Sequence, residues 1–311
     1  MATTEQVGTG RLTSDVFVSG RRRVTRQRHG LLPGERPSRV LSVIRYTVAI
    51  LLAALFTYPF IWLVSASLKP RAQVFDNALI PKEFSPENYI TVWQAAPVFT
   101  WFVNSIVVGV AAAASVTISS ALVAFGFAYF RFPGRNLLFG LVLSTMMLPG
   151  AVTMIPVYLI WDALGFVNTQ VPLWANNLFG SAFFIFLLRQ FFLTLPRELF
   201  EAARVDGCGY FGLFRRIALP LCKPALIVVF IFEFRESWTD LIKPLIYLQD
   251  SALFTLPRGL KTILDSFGYG GEMKWEIVLA ASVIATLPLI IIFFLGQRHF
   301  VEGISTTGRK G

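Results

Sequence analysis

Five long stretches of this chain contain no Asp, Glu, Lys or Arg, and they set its architecture. A helix needs about 20 apolar residues to cross hydrocarbon, so each stretch reads as a membrane span. Span 1 lies between Arg45 and Lys69, and span 2 occupies 102–130 of the gap between Glu87 and Arg131. Span 3 falls between Arg135 and Asp162, span 4 between Asp162 and Arg189, and span 6 between Glu276 and Arg298. A further segment, 221–248, is apolar at both ends but carries Glu233, Arg235, Glu236 and Asp240 in its middle; it is read as span 5. The pattern predicts an all-α polytopic membrane protein with six transmembrane helices.

Composition supports this class. The 311 residues are 55% apolar and 15% charged, against about 45–50% and about 25% in soluble domains. Basic residues exceed acidic ones by 28 to 18. Twenty of the 28 fall in the N-terminal tail, the 131–135 turn, the 189–223 segment and the C-terminal tail. Seven fall on the opposite side, Lys243 included, and Arg235 lies within span 5. Such a bias places both termini in the cytoplasm, N-in and C-in. The net charge of +10 therefore reports topology, and no nucleic-acid partner is expected. Residues 1–38, rich in Gly, Arg and Thr, read as a disordered cytoplasmic tail beside membrane lipid. This tail plus span 1 is too long for a cleavable signal peptide. Residues 39–311 form the transmembrane domain. Two cysteines without a CxxC, and two histidines, leave no expected metal site.

In span 2, Ala111, Ser115 and Ser119 recur every four residues, as do Ser120, Ala124 and Ala128. Small faces let helices approach closely in lipid, either for packing or to line a path. Pro149 and Pro156 in span 3 predict a bent helix buried in protein.

The segment 189–223 is too short and too charged to span. Pro196 suits a helix start, Leu199, Phe200 and Ala203 form an apolar stripe, and Gly207 suits a helix end. Tyr210, Phe211, Phe214 and Ile217 form a second stripe beside Arg215 and Arg216. Two short cytoplasmic helices are expected.

The residues EAARVDGCGYFGLFRRIALP carry Glu201, Ala202 and Ala203, then Asp206 and Gly207, then Ile217, Leu219 and Pro220. This arrangement resembles the EAA loop of ABC-importer permeases. The similarity extends to YPFIWLVSASLKP, ENYITVW, Asn104–Ser105, AYFRFPGRNLLF, LGFVNTQ and QRHFVEGISTTGRKG. It points to the maltose-type second permease of the carbohydrate-uptake branch, with a type I importer (MetI-like) fold. The resemblance implies that 189–220 is a loop coupling this chain to an ATPase. It also implies that the tail 298–311, with Gly303, Gly308 and Lys310, reaches toward the ATPase pair. The implied partners are a sister permease, two ATPase subunits, an extracytoplasmic solute-binding protein and a sugar, in a bacterial plasma (inner) membrane.

Gly303, Gly308 and Lys310 superficially look like a P-loop, but Arg309 intervenes and no Ser/Thr follows the lysine. No cofactor is expected on this chain; ATP and Mg2+ belong to the partner ATPase. In span 5, Glu233, Glu236 and Asp240 are spaced i, i+3, i+7 along one helical face, with Trp238 near them. Charges inside a membrane avoid lipid. With Asn104 they are candidates for the translocation path, or else for structural pairing with a neighbouring helix. The family usually has Trp-Asn-Asp/Glu here, whereas this chain has Trp238, Thr239 and Asp240. The acidic residues also allow a proton-coupled secondary transporter, although no inverted repeat is evident. An intramembrane enzyme is disfavoured: there is no H-E-x-x-H or G-x-S-x-G, and His29 and His299 lie in the tails.

Overall fold

The charge gaps fold into helices whose ends follow the charges and prolines. In the computed structural model, residues 39–76, 78–269 and 271–307 are described, with side chains as far as Phe294. The expected tail 1–38 lies outside them. Span 1 is α1 (Arg39–Ser67), and α2 (Glu87–Ala95) follows a turn at Arg71–Gln73. Span 2 is α3 (Val98–Tyr129), begun after Pro97 and ended before the Arg131–Arg135 turn. Span 3 is α4 (Arg135–Ser144) and α5 (Gly150–Ala163), bent by 100°. Span 4 is α6 (Val171–Trp174) and α7 (Ala182–Leu193), bent by 41°. Next come α8 (Arg197–Val205), α9 (Tyr210–Leu213), α10 (Leu219–Leu221), α11 (Lys223–Thr239), α12 (Ile242–Tyr247), α13 (Leu256–Phe267) and α14 (Trp275–Thr307). No strand occurs among the described residues.

Helices α1, α3 and the Trp275–Phe294 part of α14 are each long and apolar enough to cross a membrane. Three bent pairs meet the same measure, giving six spans if each pair counts once. Residues 1–55 and 56–311 form separate units, and the described part of the first is the opening of α1.

Within the second unit, α3 is the central helix, with a core around each half. Val98, Trp101 and Val108 pack with Phe234, Trp238, Leu256, Ile263 and Ala281. Ala121, Ala124, Phe125 and Ala128 pack with Leu188, Phe192, Phe200, Leu213 and Val229. Three of the small residues of span 2 serve this packing. Ser120, Ala124 and Ala128 are buried, and a Cβ on Gly109 would lie 3.0 Å from the Phe234 ring. A Cβ on Gly180, itself at φ +78°, would lie 3.4 Å from Ser120 Oγ.

Span 3 is bent, as its prolines predict, by 100°. The break falls at Pro149, which precedes α5, while Pro156 stays inside the helix. The residues around the break are exposed on the surface of this chain. Local bonds explain how this is tolerated: Leu148 N–H donates to Thr145 O at 3.2 Å, and Val152 N–H to Pro149 O at 3.0 Å. The Thr145 carbonyl, left without a donor by Pro149, is met within the turn itself.

A polar knot ties the end of α1 to α2. Lys69 is fully buried, and its Nζ donates to Asp76 Oδ1 at 2.5 Å and to Ala78 O at 2.6 Å. Asn88 Nδ2 donates to the carbonyls of Ser67 and Lys69, each at 2.9 Å. A buried charge persists only when it is paired and hydrogen-bonded. The bond from the Lys69 ammonium holds the Asp76 carboxyl below the usual carboxylate range. A carboxyl depressed in the folded state stabilises above its unfolded pKa, about 4, and loses that contribution as pH falls through the folded value. Thermal melting of the purified protein is therefore expected to fall with acidification below about pH 4. Asp76→Asn should melt lower at neutral pH and respond less to acid; equal acid sensitivity in the two proteins would contradict this.

Candidate functional site

The expected coupling segment folds as a short peg with a defined stop. Pro196 caps α8 from outside, in extended conformation, rather than within its first turn. At the other end Gly207 has φ +81°. Cys208 N–H donates to Ala203 O at 2.9 Å and Gly207 N–H to Arg204 O at 3.0 Å. These two bonds form a Schellman cap, which explains the spacing from Ala203 to Gly207. The left-handed turn costs any other L-residue about 1–2 kcal/mol.

The peg has two faces. Phe200 is buried, its ring 5.5 Å from Tyr129 and 6.3 Å from Phe125. Burying a phenylalanine contributes about 1.5–3 kcal/mol. Glu201, Ala202, Val205, Asp206 and Gly207 are exposed, Val205 by 88%. A carboxylate, a small residue and an apolar side chain thus stand on an outward surface.

The second stripe is displaced from its expected register. Leu213, Phe214 and Ala218 are buried, whereas Phe211 is 69% exposed. A π-helical turn over Phe214–Ala218, between α9 and α10, moves the buried position from Ile217 to Ala218. Ile217 and Leu219 are half-buried, and Pro220 is exposed within α10. Cys208 packs closely: a Cβ on Gly212 would lie 2.5 Å from its Sγ. Sequence reasoning missed the seat of the peg, Phe125 and Tyr129. Their i, i+4 spacing just before Arg131 was the available signal.

The acidic residues of span 5 do not share one face. Helix α11 ends at Thr239, so Glu233 and Glu236 lie in its last turns and Asp240 lies beyond it in extended conformation. Span 5 is therefore not continuous over 221–248, and its charges cluster near the end rather than mid-span. The physical reason is that Asp240 starts the next helix. Its Oδ1 accepts from the N–H groups of Ile242 and Lys243 at 3.0 and 3.2 Å. Lys243 Nζ reaches Asp240 Oδ2 at 3.2 Å, an i,i+3 pair. Arg235 lies 3.8 Å from Glu236.

Trp238 and Asn104, candidates either for the translocation path or for structural pairing, both make bonds to neighbouring helices and loops. Trp238 is buried, with its ring centroid 5.7 Å from both Phe102 and Phe234. Its Nε1 donates to Ala285 O at 3.2 Å. Asn104 Nδ2 donates to the carbonyls of Ala252 and Phe254 at 2.9 and 3.0 Å. Glu233 is half-buried and accepts from Asn177 Nδ2 at 2.5 Å. Only Glu236 among these five presents a largely open side chain, 70% exposed.

The Glu233–Asn177 bond gives a discriminating prediction. Glu233→Leu leaves the Asn177 amide with only the Ala112 carbonyl, at 3.3 Å, and should cost about 1–3 kcal/mol, read as a lower melting temperature. Glu233→Gln keeps an acceptor oxygen and should preserve both melting and transport. Loss of transport in the glutamine variant at unchanged melting would instead make the carboxylate itself functional.

Of the C-terminal expectations, Gly303 lies on the backbone of α14, while Gly308 and Lys310 fall outside the described residues. Among the described residues no group of three His, Cys, Asp or Glu is placed to hold a metal ion.

Comparison with known proteins bears on these features. The solved structure of a bacterial ABC transporter involved in import of the acidic polysaccharide alginate matches with a TM-score of 0.75 at 23% identity, covering 86% of this chain and 98% of that one. This likeness establishes the permease fold. The arabinooligosaccharides transport system permease protein AraQ of Bacillus subtilis is 34% identical over 89% of this chain and 99% of its own length. The sn-glycerol-3-phosphate transport system permease protein UgpE of Salmonella typhi is 34% identical over 86% of this chain and 96% of its own length. The model of the family "Binding-protein-dependent transport system inner membrane component" matches residues 117–306, which include the peg, its cap and the whole of α11. The chain belongs to that family and is a permease subunit of the inner membrane, not an enzyme.

Proposed function

We propose that this chain is one of two membrane-spanning halves of an ATP-driven importer for a carbohydrate or a related polyol, with both termini in the cytoplasm. The observation that carries this reading is the α8 peg. One face is seated by Phe200 on α3, and the other displays Glu201 and Ala202 outward. A partner ATPase that engages the outward face would move α3, the helix around which both cores are built. That motion supports alternating access, in which the helices reorient around the solute as the ATPase dimer closes. ATP and Mg2+ are used by the ATPase, and a solute-binding protein delivers the cargo.

The relatives' names, arabinooligosaccharides and sn-glycerol-3-phosphate, favour a polyhydroxylated solute. Glu236 is the residue of this chain best placed to meet it, because a carboxylate accepts hydrogen bonds from two hydroxyls. A proton relay through span 5 is not favoured: Glu233 is bonded to Asn177 and Asp240 to Lys243.

Reconstitution with the partner ATPase, sister permease and binding protein tests the reading. A Walker-motif mutation in the ATPase should abolish uptake, and a protonophore should leave it intact. Uptake that survives the mutation and collapses with the protonophore would make this chain a proton-coupled carrier.

A further inference from the structure

Two cavities adjoin at the end of α3 that the charge distribution puts on the cytoplasmic side, and they share Arg131 and Arg197 as walls. The first, ≈ 390 Å³, is half aromatic, with Tyr129, Phe130, Phe200 and Tyr210, and adds Arg204. The second, ≈ 500 Å³, is a polar basin completed by Arg135 and Asn136. Gly134, at φ +79°, turns the chain between Arg131 and Arg135 so that both border the same space.

Four arginines therefore surround one region, and among the described residues none of them forms an ion pair. Glu201 is the one acid in either lining. Two of the arginines are held in place: Arg135 Nη1 donates to Phe130 O at 3.3 Å, and the Arg204 guanidinium lies 5.4 Å from the Tyr210 ring. Unneutralised guanidinium groups facing a cavity constitute an anion site, and their fork geometry matches phosphate oxygens.

We propose that this double cavity binds the headgroup of an anionic phospholipid. Its position argues for lipid, because α3 crosses the membrane and its last turn meets the headgroup layer. Aromatic and basic side chains concentrate at that depth, and basic pockets between spans there take anionic headgroups. The division of the site points further. A polar basin and an aromatic-walled cavity joined by shared arginines fit two phosphates linked through glycerol better than a single one. Free inorganic phosphate shares the chemistry but gains nothing from the aromatic wall. The proposal is independent of which solute is carried.

The test uses the intact importer complex, purified in detergent, stripped of lipid and titrated with cardiolipin or phosphatidylcholine under native mass spectrometry. Wild type should retain one cardiolipin in preference to phosphatidylcholine, and millimolar inorganic phosphate should not displace it. Arg131→Gln combined with Arg135→Gln, both outside α8, should weaken cardiolipin retention roughly 30-fold, two surface arginines' worth, with the ATPase still bound. No preference in wild type overturns the proposal without recourse to any variant. Equal retention by wild type and variant overturns it too. Displacement by inorganic phosphate would make the site one for free anion. Loss of the ATPase from the variant at unchanged lipid retention would assign these arginines to the ATPase contact.

Discussion

Glu201→Lys is expected to abolish solute uptake, either by releasing the ATPase or by leaving it to hydrolyse ATP without transport. Glu201 is exposed on the outward face of α8, and the other charged residues lining its cavity are Arg131, Arg197 and Arg204. The substitution removes the only negative charge from that lining and adds a fourth positive one. A partner surface chosen to meet a carboxylate then faces a like charge, at a cost of about 2–5 kcal/mol, which is more than tenfold in binding. Glu201→Gln, which keeps the shape without the charge, should fall between the two. Uptake of labelled solute and the ATPase-to-permease ratio on purification would be measured together. Normal uptake in a normal complex would remove Glu201 from the coupling contact.

The second large effect concerns folding rather than coupling. Gly259→Val should leave little correctly folded protein. Gly259 lies on α13 against the indole of Trp101, and a Cβ there would sit 2.0 Å from Trp101 Cε3. Trp101 cannot retreat, because it is 2% exposed and its Nε1 donates to Ser251 O at 2.8 Å. Overpacking a filled core costs about 1–3 kcal/mol, and a contact this short belongs at the upper end. Melting temperature and the yield of monodisperse protein report the result. If Gly259→Val alone melts like wild type, the approach of α13 to α3 is looser than described. Pairing it with Trp101→Leu should recover part of the loss by opening space.

These two sites differ in how visible they were from sequence. The spans showed themselves because charges are costly in hydrocarbon, so their absence between Arg45 and Lys69, or Glu276 and Arg298, is informative by itself. The peg was equally visible, since Pro196 and Gly207 act through local backbone geometry. Trp101 against Gly259 was not visible, because it depends on a contact between residues 158 positions apart that no local pattern encodes. The same holds for Phe200 on Tyr129. Asp240 misled for a related reason: helical spacing from Glu233 held only while the helix was assumed to continue. A carboxylate that captures the amides of Ile242 and Lys243 ends one helix and begins another. The buried Lys69 went unrecognised because only the fold brings Asp76 and Ala78 O to its Nζ.

The brevity of α8 has a consequence of its own. Nine residues fall well short of the roughly 12–15 an isolated helix needs to persist in water. Its shape is therefore on loan from the aromatic seat beneath it. A synthetic peptide copying residues 195–222 would be unstructured and a poor decoy for the ATPase. Only a permease whose membrane-embedded part is already assembled can present the handle, so a half-built subunit offers the motor nothing to grip.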